Sequence, residues 1–347
     1  MNQSNAPKAC AGRVAAPIVG AASCDLQAAV ALLRRGEILG IPTETVYGLG
    51  ADATNGLACA RIFEAKGRPS FNPLIAHCAS LEMALGQGVF SKKAIGLAEA
   101  FWPGALTLVV RRHPASAVAD LVTAGLDTIA IRVPDAPIMR ALIEGLGAPI
   151  AAPSANRSGH VSATTALAVA EDLGGSLALI IDAGPSPVGV ESTIVDMSGK
   201  TPVLLRPGGL ARADIEAVLG EPLDSPTHPA GDRPSAPGML AAHYAPSCPV
   251  RLEAAGARPG EGLIAFGPGA ACGPGGSGGP GDAVRIVNLS PGGDLREAAA
   301  NLFAALRSLD AAGVAGIAVM PIPATGLGEA INDRLRRAAL GRLAETR

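Results

Sequence analysis

Lys66, Arg68 and Asn72 stand within seven residues of one another, in the segment Lys66-Gly67-Arg68-Pro69-Ser70-Phe71-Asn72-Pro73-Leu74. Each proline fixes its own φ and restricts the residue before it, so this is no helix interior. The segment reads as a stiff, extended shoulder that presents two cations and an amide at a set spacing. An anionic ligand needs such a shoulder, and a triphosphate is the commonest such ligand.

Other polar groups recur at the ends of apolar runs. His77 follows Asn72 by five residues; it is either a satisfied structural histidine or part of a site. In Ile41-Pro42-Thr43-Glu44-Thr45-Val46-Tyr47-Gly48, the hydroxyls at 43 and 45 share a side if the chain is extended. They are either satisfied threonines or the lining of a crevice at strand ends. Alternation in Thr128-Ile129-Ala130-Ile131-Arg132-Val133 puts Thr128, Ala130 and Arg132 on one face. An arginine there is costly unless a carboxylate meets it, from the protein or from a ligand. Ala151-Ala152-Pro153-Ser154-Ala155-Asn156-Arg157-Ser158-Gly159, with Ser162 beyond, is a strand, a small-residue loop and a helix entrance. Hydroxyls and amides so placed suit an anion. A nucleophilic serine is the rival, but the Gly-x-Ser-x-Gly elbow is missing. Glu191-Ser192-Thr193 opens one more strand, and Arg206 ends another before Pro-Gly-Gly. Phe101-Trp102-Pro103-Gly104 reads as architecture, an aromatic anchor and a turn.

Short β-rich runs bounded by Gly or Pro must carry these groups. They are predicted at Glu37–Pro42, Leu74–Cys78, Leu106–Arg111, Thr128–Val133, Ile150–Pro153, Leu177–Asp182, Thr193–Asp196 and Val203–Leu205. Helices are predicted at Leu26–Arg35, Gly56–Ala65, Ala136–Gly145 and Thr164–Leu173, with Asp25, Ser23 and Asp135 placed as caps. Alternating elements of this kind give an α/β domain with a mixed sheet of many short strands, over 23–219. Residues 1–22 read as a loose extension, and 220–249 as a Pro-rich linker whose Met239, Leu240 and Tyr244 want burial. From 250 to 347, three strand patterns and a helical face of Leu295, Leu302, Phe303, Leu306 and Leu309 predict a smaller Rossmann-like α/β domain. Within it, 267–282 is a Gly-rich insertion by composition; as a phosphate loop it lacks the strand-to-helix context. The arginines of Glu329–Leu340 read as a solvated helix face.

The 347 residues suffice for two domains. A net charge of −2 argues against tight nucleic-acid binding, so any polyanion site is local. Aromatic residues are 3% of the chain, too few for single-strand stacking platforms. The six cysteines show no Cys-x-x-Cys spacing, which gives no zinc site and suits reduced thiols in the cytoplasm. No signal pattern or membrane span is read in the sequence.

Taken in order, PTETVYGLG, KGRPSFNPL, FWPGALTL, TIAIRVP, APSAN-x-SG, ESTIVD and LRPGG resemble the motifs of the YrdC-type threonylcarbamoyl-AMP synthase family over about residues 25–215. PGMLAAHYAP and GLGEAINDRLRRAA resemble the linker and last helix of its long, two-domain form. The resemblance implies a YrdC-like twisted mixed sheet that forms a deep basic cavity. It also implies an activity: L-threonine, bicarbonate and ATP give threonylcarbamoyl-adenylate, pyrophosphate and water. A downstream transferase complex then modifies tRNAs reading ANN codons. It places Thr45, His77, Arg132, Ala152 and Ser192 around threonine. Arg68, Asn72, Thr128, Ser154, Asn156, Ser162, Arg206 and Tyr244 fall around ATP, with Lys66 and Arg68 stabilising charge and Tyr244 in a lid. Mg²⁺ would arrive on the ATP phosphates. Two rivals remain: a carbamoyl-adenylate-forming relative, and a double-stranded-RNA binder using the same cavity.

Overall fold

The computed structural model describes residues 15–226, 243–269 and 283–345. Eleven strands form the first sheet: β1 (Ile18–Gly20), β2 (Leu39–Ile41), β3 (Gly48–Asp52), β4 (Ile75–His77), β5 (Gly88–Val89), β6 (Leu106–Arg112), β7 (Thr128–Arg132), β8 (Ile150–Ala151), β9 (Leu179–Asp182), β10 (Thr193–Asp196) and β11 (Val203–Arg206). Their order is β1-β9-β2-β3-β8-β4-β7-β6-β10-β11, with β5 alongside β6. The sheet is mixed. β4 runs parallel to β7 and β10 parallel to β6, while β6 and β7, and β10 and β11, are antiparallel.

This mixture decides where polar residues meet. The parallel register sets His77 beside Arg132 at the ends of β4 and β7. Because β6 and β10 run the other way, their starts lie at that same edge, and β11 returns to end there at Arg206. The turn after β2, carrying Thr43 and Thr45, opens towards it as well.

Eight helices cover this sheet: α1 (Leu26–Arg34), α2 (Gly56–Lys66), α3 (Leu81–Leu85), α4 (Lys92–Phe101), α5 (Asp120–Thr123), α6 (Pro137–Leu146), α7 (Ala166–Leu173) and α8 (Arg212–Leu219). Asp25 caps α1 by accepting from the amides of Gln27 and Ala28, as expected. Asp135 does not cap α6: Ala136 holds that position without a side-chain bond, and Pro137 supplies a first-turn residue that has no N–H to satisfy. Ser23 lies in a 3₁₀ turn and donates to Gly20 O instead of capping. The apolar faces of the helices pack on the sheet in separate clusters: Leu33 and Leu39 are fully buried in one, and Ile62, Leu97, Leu106 and Ile180 in another.

The second unit holds β12 (Val250–Arg251), β13 (Glu261–Ala265), β14 (Ile286–Asn288) and β15 (Gly316–Val319), all parallel, in the order β12-β15-β13-β14. Two helices, α9 (Leu295–Ala311) and α10 (Leu327–Glu345), complete the expected small α/β unit. Leu302, Phe303, Leu306 and Leu309 are buried along α9. That core is continuous with the first unit: Val46, Val161 and Val190 pack in the same cluster as Tyr244, Phe303 and Ile331.

Three differences from the sequence reading have physical causes. Ile18–Gly20, placed in the loose extension, pairs parallel with β9 and so finishes the sheet edge. The three-residue run shows too little periodicity to be recognised alone. β3 is glycine-rich and falls outside the predicted strands, yet its neighbours β2 and β8 supply hydrogen-bond ladders on both sides. The arginines of α10 are not all solvated, because that helix lies in the junction between the two units; Arg334 is fully buried. Met239, Leu240 and most of the Gly-rich insertion lie outside the described residues. No helix among those described is long and apolar enough to cross a membrane.

Candidate active site

The edge where these strand ends converge encloses a narrow cavity of about 40 Å³. Thr45, His77, Arg132, Ala152 and Ser192 line it, together with Arg68, Ser154, Arg206 and Tyr244. Thus nine of the sequence-predicted residues come together in one cavity.

The end near β4 and β7 is organised by Arg132. Its Nε donates to Gly104 O (3.1 Å), Nη1 to Thr45 Oγ1 (2.9 Å) and Nη2 to Glu44 Oε1 (2.5 Å). The two alternatives left by the sequence are therefore compatible. Glu44 is the buried carboxylate partner, and of the five guanidinium N–H donors, two remain beyond these three bonds. Thr45 is held in turn by Thr43 Oγ1 at 2.9 Å, which itself donates to Val46 O. His77 is buried, and burial followed by the charge of Arg132 pulls its pKa down to about 3, so the imidazole is neutral at pH 7. Among the described residues its Nδ1 has no hydrogen-bond partner. Ala152 contributes backbone and a small side chain; its amide donates to Ile75 O.

The other end is basic. Left-handed Gly67 terminates α2 and turns the chain into the proline-locked loop. Arg68 there donates to Asn72 O (3.3 Å) and Pro73 O (2.9 Å), so the loop's own carbonyls aim the guanidinium. Burial pulls the Arg68 pKa down to about 10, still charged at neutral pH. Arg206 is pinned by Ser192 O (2.8 Å from Nη2), and Ser192 Oγ bonds Thr107 Oγ1 at 2.7 Å. The turn after Arg206 lies against β10 so closely that a Cβ on Gly208 would sit 2.4 Å from Glu191 O and Thr193 N.

Lys66, Asn72, Asn156 and Ser162 are buried next to this end without lining the cavity. Lys66 Nζ donates to the carbonyls of Ser154 and Asn156, both at 2.5 Å, and so ties the small-residue loop to α2. Burial, with Arg68 adding to it, holds its pKa well below the usual lysine value. Asn156 Nδ2 clamps the same loop through Arg157 O and His160 O. Thr128 is not brought in. It begins β7, roughly 13 Å from Arg132 along the extended strand.

Tyr244 enters from the linker with φ at 64° and is fully buried. Its ring meets His243 edge-on at 4.1 Å, stacks on Phe303 at 5.5 Å and lies 5.2 Å beneath the Arg334 guanidinium.

Comparison with known proteins gives the family. Residues 31–208 match the family model described as Telomere recombination, and residues 210–340 match the one described as Threonylcarbamoyl-AMP synthase, C-terminal domain. The threonylcarbamoyl-AMP synthase of Bacillus subtilis is 44% identical over 91% of this chain and 93% of its own. That of Pyrococcus abyssi is 45% identical over 90% and 94%. The chain belongs to the threonylcarbamoyl-AMP synthase family. The crystal structure of P. abyssi Sua5 complexed with L-threonine superposes with a TM-score of 0.82, at 40% identity, covering 94% of this chain and 98% of that one. A P. abyssi variant with a histidine and a tyrosine replaced by alanine aligns similarly, with a TM-score of 0.83.

Within this family frame, three polar cavity residues were missing from the sequence-based set. Glu191 lines the cavity, accepting from Ser162 Oγ (2.6 Å) and from Arg334 Nε (2.8 Å). Burial alone would raise its pKa, but Arg334 and then Arg206 hold the carboxyl down to about 2. Thr43 and His243 also line it; burial pulls the His243 pKa to about 3. Thr43 and Glu191 stand inside the motifs already singled out, so adjacency was the available signal. For Arg334, 143 residues from Glu191 in sequence, there was none.

Proposed function

We propose that this protein makes L-threonylcarbamoyl-adenylate and pyrophosphate from L-threonine, bicarbonate and ATP, in the cytoplasm. The product would feed a separate transferase complex that modifies tRNAs reading ANN codons. One observation carries the reading: a single buried cavity has a forked arginine flanked by hydroxyls at one end and two aimed guanidinium groups at the other. The first end suits the carboxylate and hydroxyl of threonine, as the threonine-bound relative suggests; the second suits phosphates.

In this mechanism the two free N–H donors of Arg132 take the threonine carboxylate, and Thr45, His77, Ala152 and Ser192 shape the surrounding subsite. A neutral His77 leaves the positive charge there to Arg132. The threonine amine adds to the carbon of bicarbonate; water leaves and a carbamate forms. A carbamate oxygen then attacks the α-phosphorus of ATP as the bond to pyrophosphate breaks. Charge grows on phosphoryl oxygens in that step, so fixed cations contribute more than a strong base. Arg68 and Arg206 face that charge. Lys66 serves it by holding the Ser154–Asn156 loop in place. Asn72, Asn156 and Ser162 support the nucleotide side, and Tyr244 closes it against water. Thr128 has no part in this geometry.

Mg²⁺ fits only as a companion of the nucleotide. No cluster of three or more His, Cys, Asp or Glu side chains suited to a metal occurs among the described residues, and both Glu191 oxygens are already engaged. Bound to the phosphates, it would neutralise charge there. The test is pyrophosphate release with ATP, threonine and bicarbonate, each omitted in turn. Release should require all three; release indifferent to threonine would overturn the assignment.

A further inference from the structure

Glu191 is an awkward neighbour for a nucleotide. It lines the cavity beside Arg68 and Arg206, where an anionic ligand needs net positive charge. A bare carboxylate there would repel phosphates and draw those guanidinium groups to itself. The second unit supplies the answer. Arg334 of α10, with a fully buried side chain, donates from Nε to Glu191 Oε2 at 2.8 Å. Nη1 donates to Pro207 O (2.9 Å), in the turn directly after Arg206, and to Asp333 Oδ2 (2.6 Å). The same guanidinium covers the Tyr244 ring. A single side chain therefore touches the cavity carboxylate, the Arg206 turn and the proposed closing tyrosine. Arg307 of α9 assists from beside it, donating to Val161 O (2.5 Å) and Ser162 O (3.3 Å) while paired with Asp172 at 2.6 Å.

We propose that Arg334 is a positioning residue of the nucleotide subsite: it neutralises Glu191, so that this carboxylate does not oppose phosphates in the cavity and Ser162 stays oriented. The C-terminal unit is thereby part of the nucleotide subsite and more than an appended module. Breaking a buried pair by removing one partner leaves an uncompensated charge, whereas removing both charges together does not. This asymmetry separates charge balance from simple bracing.

The inference rests on the cavity being an ATP site, and the experiment keeps the two apart. Pyrophosphate release by the full chain is measured against ATP at saturating threonine and bicarbonate, with melting temperatures alongside. If the wild type shows no threonine- and bicarbonate-dependent release, the proposed function fails first. Given that release, Arg334→Met should raise the KM for ATP by about tenfold or more, with the KM for threonine changed by less than about threefold. Adding Glu191→Gln to Arg334→Met should bring the KM for ATP back to within about threefold of wild type. Arg212→Met, which cuts the more exposed Arg212–Glu329 bridge between the same two units, should leave both constants unchanged. A wild-type KM for ATP in Arg334→Met overturns the proposal. So does a folded double variant as impaired as the single one. If Arg334→Met does not fold, Glu191→Gln alone decides. Loss of that charge should not raise the KM for ATP, and a rise like that expected of Arg334→Met refutes charge balance.

Discussion

At the scale of single residues, Arg132 shows how a buried cation stays available to a ligand. Three of its donors are fixed by Gly104, Thr45 and Glu44, and the planar fork holds the others in place. A lysine cannot reproduce that fork. Arg132→Lys is therefore expected to raise the KM for threonine by about tenfold to a hundredfold, a cost of roughly 1.4–2.8 kcal/mol. The KM for ATP should move little, and steady-state kinetics with each substrate varied separately checks the split. His77 and His243 carry a second expectation. Both have native pKa values of about 3, below the ordinary value of 6.5. Between those two pH values the unfolded chain binds their protons and the folded chain does not, so stability falls as pH drops. Each contributes a slope of about 1.4 kcal/mol per pH unit in that window. Urea midpoints from pH 7 down to pH 4 should decline, and His243→Gln should flatten the decline by about one proton. An unchanged slope would show that His243 titrates normally in the native state. The sequence made Arg132 legible because an isolated cation in an apolar run demands a partner. It did not identify Glu44 as that partner, since the pairing depends on a turn whose shape comes from the Thr43 and Thr45 hydroxyls.

Among the elements, α2 links stability at one end to chemistry at the other. Asn55 caps it by accepting from the amides of Leu57 and Ala58, and eleven residues later Lys66 reaches into the loop beside the cavity. Asn55→Ala should cost about 1 kcal/mol in chemical denaturation. Substrate constants should stay at wild-type values, because the cap is a helix length from the cations. Changed constants would mean that fraying at the first turn reaches Lys66. Most strands were legible for a related reason: apolar β-branched runs bounded by Gly or Pro leave few alternatives. β1, β3 and β5 were not, being short or glycine-rich and held by their neighbours' ladders rather than by their own periodicity. Asp135 misled because proximity to a helix start does not ensure capping geometry, and Pro137 had already relieved part of the need.

On the scale of the whole molecule, the two units share a core. Val46, Val161 and Val190 come from the first; Phe303, Leu306 and Ile331 come from the second. Calorimetry of the full chain should accordingly show one unfolding transition, and two resolved transitions would refute a common cooperative core. This union was the least legible level, because each half is locally self-consistent and only the tertiary structure brings Arg334 to Glu191. One tight point is Gly189, at a φ of 75°, where a Cβ would stand 2.3 Å from Ala300 Cα and 2.4 Å from Ala299 O. A methyl group there would act as a wedge driven between the halves just two residues from Glu191. The halves are thus poor candidates for independent exchange between relatives. A chimera should work only when the Gly189–Glu191 segment travels together with the α9 and α10 faces that close upon it, as one unit of inheritance.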